Sequence, residues 1–130
     1  MLLAQISTLI VAANVGVMLF FSVAVAPSIF VVLPSQWAAT YVRAFFPKYY
    51  LYLGLLTAVA AGLAASMQQQ LGLALCALLF FFSRWWLTPQ INKARDEKRA
   101  QAFKVLHILS VALNLLQLLG LIGFLVQGFR

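Results

Sequence analysis

Charge is what this sequence has least of. Only 8% of its 130 residues are Asp, Glu, Lys or Arg, against about 25% in a soluble domain. Acids are rarer still, with only Asp96 and Glu97, side by side. No carboxylate therefore falls inside a long apolar run, which argues against the carboxylate relays of many proton and sodium transporters. Paired acids, a nucleophile–base pair, a phosphate-binding glycine loop and an HExxH helix are all missing, so hydrolytic chemistry has little to work with. The lone Cys76 sits in an apolar run, which excludes an internal disulfide and leaves the redox compartment unread. His107 is the sole histidine, and Met18, Met67, Cys76 and His107 are scattered without the spacing of a metal motif.

Apolar residues take up the room that charge leaves. They make up 65% of the chain, against about 45–50% in a soluble domain, and mean hydropathy is +1.00. A cytosolic enzyme, a disordered tail and a secreted disulfide scaffold are excluded. The length accommodates about four spans of about 20 residues. The expected fold is all-α: one integral membrane bundle of four transmembrane helices, with a short interfacial amphipathic helix between the first two.

The spans are placed at about 4–26, 48–67, 71–87 and 102–129. The first lacks a basic leader and a small-residue cleavage site, so it is expected to be a retained helix. Pro27 should break or kink it. Ser35 is a reasonable N-cap for the interfacial helix, about 36–46. That helix places Trp37, Ala38, Tyr41, Val42 and Phe45 on one face and Gln36, Thr40 and Arg43 on the other. Gln68, Gln69 and Gln70 read as the turn between the second and third spans. Ser83, Arg84, Trp85 and Trp86 form an aromatic and basic belt at the end of the third.

The nine Lys and Arg give a net charge of +7. In a soluble protein that would suggest nucleic acid. Here the basic residues flank the apolar runs, where they orient helices and meet anionic lipid, so the expected partner is the bilayer and not nucleic acid. The two long loops and their margins hold Arg43, Lys48, Arg84, Lys93, Arg95, Lys98, Arg99 and Lys104; the opposite side holds only Arg130. The positive-inside rule then puts both termini outside and the basic loops in the cytoplasm, with a bacterial inner membrane as the expected location. Asp96 and Glu97 are expected to pair with Lys93, Arg95 or Arg99.

Two stripes carry the packing and site readings. Gly54, Ala58, Gly62 and Ser66 recur every four residues, which allows close helix approach in lipid. The stripe reads either as packing within the monomer or as a homo-oligomer seam. His107, Ser110, Asn114 and Gln117 share one face of the last span, and polar groups at that depth must look into the bundle or a wet cavity. Asn114, Asn14 and Thr57 lie near the middle of their spans and could form a hydrogen-bond cluster. The polar face reads either as interhelical glue or as the lining of a ligand site. For that site the sequence offers His107, Ser110, Asn114, Gln117 and Asn14, with Arg84 and Pro89 at a cytoplasmic rim. His107 itself reads as a helix–helix hydrogen bond, a ligand-binding or proton-handling group, or a haem or metal ligand. No cofactor is expected, haem being the residual alternative.

The chain also resembles a known family. Phe20-Phe21 through Val25-Ala26-Pro27 with Phe30, then Phe46-Pro47-Lys48-Tyr49-Tyr50, carry the first half of the likeness. Leu87-Thr88-Pro89-Gln90-Ile91-Asn92 and Phe103-Lys104-Val105-Leu106-His107, with Ser110 and Asn114, carry the second. In order and spacing these resemble the small membrane proteins grouped as domain of unknown function 4149, the transmembrane protein 205-like proteins. The segment from Arg95 to Arg99 is shorter than the family's. The resemblance implies a four-helix integral membrane fold without an established activity, and it groups Pro27, Pro89 and His107 in one site. Two functions are then weighed. One is a non-enzymatic membrane protein that binds or moves a small lipophilic or ionic ligand, or serves as an accessory subunit of a membrane complex. The other is a membrane oxidoreductase or haem- or quinone-binding protein using His107.

Overall fold

The computed structural model of the protein describes residues 1–128; the expected end of the last span at Phe129, and Arg130, lie outside the described residues. Four helices long and apolar enough to cross a membrane follow one another: α1 (Leu2–Val32), α2 (Ser35–Leu63), α3 (Met67–Asp96) and α4 (Ala100–Gly128). Among the described residues there is no strand. The connections are too short to cross the bundle, so neighbours run antiparallel. α2 packs on α1 and α3, and α4 packs on α1 and α3, whereas no Cα atoms of α2 and α4 come within 8 Å of each other among the described residues. The helices therefore form a four-membered ring. Large apolar side chains such as Leu9, Val23, Leu75, Leu78, Leu115 and Leu119 point outward, where a bilayer would meet them.

The first three helices are longer than their apolar runs suggested, and each difference has a local cause. α1 does not stop at Pro27. Phe21–Val25 widens into a π turn just ahead of the proline, and α3 does the same at Ser83–Leu87 ahead of Pro89. A proline ring collides with the carbonyl four residues earlier, and the wider turn moves that carbonyl away while keeping the helix intact. The segment read as an interfacial helix, about 36–46, is helical and joins the second span through Pro47 as one 29-residue helix. The turn into α3 also moves. Ser66 is the N-cap, its Oγ accepting from the Gln69 backbone N–H at 3.2 Å. The three glutamines accordingly belong to the first turn of α3, and the connection is Ala64–Ser66.

At 1.5 Å per residue, α1 with 31 residues and α2 with 29 are about 45 Å long, some 15 Å more than a bilayer's hydrocarbon core. The excess lies at the charged end. Leu2, Leu63 and Met67 end their helices without a charge, while all eight basic residues in the described chain lie at or toward the end shared by the α1–α2 and α3–α4 connections. That end projects into the headgroup layer, and Trp37, Tyr41, Trp85 and Trp86 are exposed around it as an aromatic belt.

Buried polar contacts stitch the ring. Ser7 Oγ donates to the Ala60 carbonyl at 2.7 Å, and Asn14 Nδ2 donates to Thr57 Oγ1 at 3.0 Å and to the Leu53 carbonyl at 3.4 Å, all between α1 and α2. Gln117 Nε2 donates to the Cys76 carbonyl at 3.3 Å, joining α4 to α3. Gly54 lets α3 close on α2, because a Cβ there would lie 2.7 Å from the Phe81 ring.

A polar and aromatic pocket at the basic end of the bundle

Because α2 and α4 stand apart, the ring leaves a pocket of about 370 Å³ between all four helices at their basic end. α2 supplies Val42, Arg43, Phe46, Tyr49 and Tyr50; α4 supplies His107, Ser110, Val111 and Asn114. From α1 come Phe21, Ser22, Ala26 and Phe30, and from α3 come Thr88, Ile91, Asn92 and Arg95. The antiparallel order sorts these by depth. Arg43, Arg95, His107 and Phe30 lie toward the connections, and Phe21, Tyr49, Tyr50, Thr88 and Asn114 lie toward the bundle centre. Asn114 is the middle residue of α4. From Val42 to Tyr50 the wall runs eight residues, about 12 Å of helix.

The floor is an aromatic cluster. Phe21 stacks on Phe45 at 4.9 Å between centroids and lies 4.9 Å from Tyr49, and Phe46 stacks on Tyr50 at 5.8 Å. Such ring pairs hold their geometry rigidly. Tyr49 donates from its hydroxyl to Asn114 Oδ1 at 3.4 Å, and so spans the gap between α2 and α4. The two π turns reach the same depth on opposite corners of the ring, with Phe21 and Ser22 in one and Thr88 directly after the other. π turns often accompany functional sites because they re-aim side chains without breaking the helix.

The rim is cationic. Arg43 Nη2 lies 2.8 Å from both Asp96 carboxylate oxygens and 3.2 Å from the Asn92 carbonyl, which straps α2 to α3. Glu97 pairs with Arg99 at 3.1 Å. Arg95 lies over the Phe103 ring at 5.0 Å, and Phe103 in turn stacks on His107 at 5.8 Å and 9°. No lining residue is an acid.

The residues singled out in the sequence divide among several places. His107, Ser110 and Asn114 line the pocket, with His107 exposed toward the rim. Ser110 Oγ donates to the His107 carbonyl of its own helix at 2.7 Å. Gln117 is buried against α3, Asn14 is buried between α1 and α2, and neither lines the pocket. Asn14 and Thr57 meet, while Asn114 turns to Tyr49. Arg84 lies in the second π turn against the Trp85 ring at 5.5 Å, with its Nε buried and unpartnered. Pro27 and Pro89 stay out of the lining, although Ala26 and Thr88 before them enter it. Of the small-residue stripe, Gly54 meets Phe81, Ala58 and Gly62 face outward, and Ser66 lies beyond the helix as a cap. Asp96 finds Arg43, 53 positions away, instead of the nearby cations expected. Tyr49, Tyr50, Arg43 and Asn92 are lining residues that sequence reasoning misses, although the Tyr49-Tyr50 pair beside Pro47 is a signal.

No curated protein and no solved structure matches the chain. The family model described as domain of unknown function (DUF4149) matches residues 9–100, which is α1 from Leu9, all of α2 and α3, and the first residue of α4. With most of its length matched and four apolar helices in the fold, this polytopic membrane protein belongs to the DUF4149 family.

Proposed function

We propose that this is a non-enzymatic membrane protein whose pocket binds a small lipophilic ligand with a polar end. The observation behind this reading is the pocket itself. Its volume of about 370 Å³ lies within the roughly 300–1,000 Å³ of small-molecule sites. Most of its rings lie at the deep end beside Thr88 and Asn114, and Arg43, Arg95 and His107 occupy its rim. The basic loops face the cytoplasm in this reading, in keeping with the charge asymmetry, and ligand would enter from the inner headgroup layer. No pair of lining groups forms a nucleophile–base or acid–base couple for turnover.

Protein extracted from its native membrane in mild detergent should carry a small-molecule adduct in native mass spectrometry. Ser110→Phe, which fills the pocket, should lose that adduct while keeping its helical circular dichroism. Wild-type protein without an adduct would sink the reading. An absorption band of haem that vanishes in His107→Ala would replace it with the oxidoreductase alternative.

A further inference from the structure

We infer that the pocket selects amphiphiles with an anionic head, held by Arg95 above an acyl chain in the aromatic floor; this rests on the pocket's being a ligand site. The chain has two acids, and both are committed elsewhere: Asp96 to Arg43 at 2.8 Å and Glu97 to Arg99 at 3.1 Å. Among the described residues Arg95 has no carboxylate partner; it lines the pocket and rests on the Phe103 ring at 5.0 Å. A guanidinium is more weakly hydrated than an ammonium, and over a ring it still has N–H groups to offer an oxyanion. Asn92 and His107 stand at the same end of the pocket as further hydrogen-bonding groups. Neutral and cationic ligands would meet a rim of net positive charge, because Asp96 balances Arg43 and leaves Arg95 over.

Depth in the membrane favours the same ligand. The excess of about 15 Å in helix length puts Arg43, Arg95 and His107 at headgroup level, and Tyr49 and Asn114 within hydrocarbon. An amphiphile would therefore keep its head and chain in the layers they already occupy. Asp96 sets the strength of the rim. By neutralising Arg43 it leaves Arg95 as the uncompensated guanidinium of the pocket.

The test compares dodecanoate, dodecan-1-ol and dodecyltrimethylammonium on the full chain in a neutral maltoside detergent. Half-saturating concentrations come from ligand-dependent shifts in melting temperature. Dodecanoate should bind about tenfold more tightly than dodecanol, the scale of one charge-assisted contact. Arg95→Gln should bring that ratio close to one by weakening dodecanoate far more than dodecanol, and Arg95→Lys should restore part of it. Asp96→Asn should raise the ratio by freeing Arg43. Equal binding of all three amphiphiles, or a ratio indifferent to Arg95→Gln, would overturn the charge selection while leaving the pocket reading in place. Binding of none of them would overturn both. Nanodiscs of phosphatidylcholine with and without phosphatidylglycerol identify the source. A dodecanoate shift abolished by phosphatidylglycerol assigns the site to a bilayer phospholipid, and a shift that persists assigns it to a free acid; either supports the proposal.

Discussion

Among the described residues, Lys98 is the one non-glycine residue with positive φ, at 56°. It sits where α3 turns into α4, and its N–H bonds the Arg95 carbonyl at 3.1 Å while the Arg99 N–H reaches back to Ala94 at 2.9 Å. That pair of bonds is a Schellman closure, whose left-handed position favours glycine. An L side chain there costs about 1–2 kcal/mol, partly offset in glycine by its greater freedom when unfolded. Lys98→Gly should therefore raise the melting temperature in detergent, by up to about 1 kcal/mol of stability; a lower temperature would show that the lysine contributes something else. Asn14 tests the buried polar seam. Asn14→Ala should reduce the resistance of the fold to dodecyl sulfate by about 1 kcal/mol, the scale of interhelical hydrogen bonds in membranes, and an unchanged midpoint would count against it. The meeting of Asn14 and Thr57 could be read from two polar residues at matching depth on neighbouring helices. The partner of Asn114 could not, because a tyrosine hydroxyl among five aromatic residues gives no sign of the direction in which it points. Arg43 and Asp96 were hidden for a different reason: nearer cations compete for the acid in sequence, and only the packing of α2 on α3 decides.

Helix existence was legible because long apolar runs leave the backbone little choice in lipid. Helix ends were less so. Proline looks like a terminator in sequence, yet at Pro27 and Pro89 a π turn absorbs the ring, and nothing in local composition separates those outcomes. Ser66 shows the reverse case. Ser66-Met67-Gln68-Gln69 follows the S-x-x-Q pattern of a capping box, so the start of α3 is present in the sequence but is outweighed by the polarity of three glutamines. The small-residue stripe can now be divided experimentally. Gly54→Leu should lower the melting temperature markedly, since even a Cβ falls 2.7 Å from the Phe81 ring, which must move to admit it. A Cβ added at Gly62 would meet nothing within 4 Å, so Gly62→Leu should leave the melting temperature of the monomer unchanged. A smaller assembly in light scattering for Gly62→Leu would identify its face as a seam between copies. Destabilisation equal to that of Gly54→Leu would contradict the separation drawn between the two positions.

At the scale of the whole molecule, orientation decides which leaflet the pocket serves. Four antiparallel helices put the Ala64–Ser66 turn on the same side as the N-terminus, and the α1–α2 and α3–α4 connections on the other. Eight cations belong to that second end, and positive residues near helix ends are retained in the cytoplasm. Single cysteines in a Cys76→Ala background can read this directly at sites exposed in the fold. Gln68→Cys in the first turn of α3 and Gln127→Cys near the end of α4 are solvent-accessible at one end, and Gln101→Cys at the start of α4 is accessible at the other. In intact cells an impermeant thiol reagent should modify the first two and spare the third until the membrane is opened. Ala94, although in the basic segment, is fully buried and would stay unlabelled in either orientation. The reverse pattern would place Arg43, Arg95 and His107 at the outer leaflet, and the pocket would then draw its ligand from outside the cell.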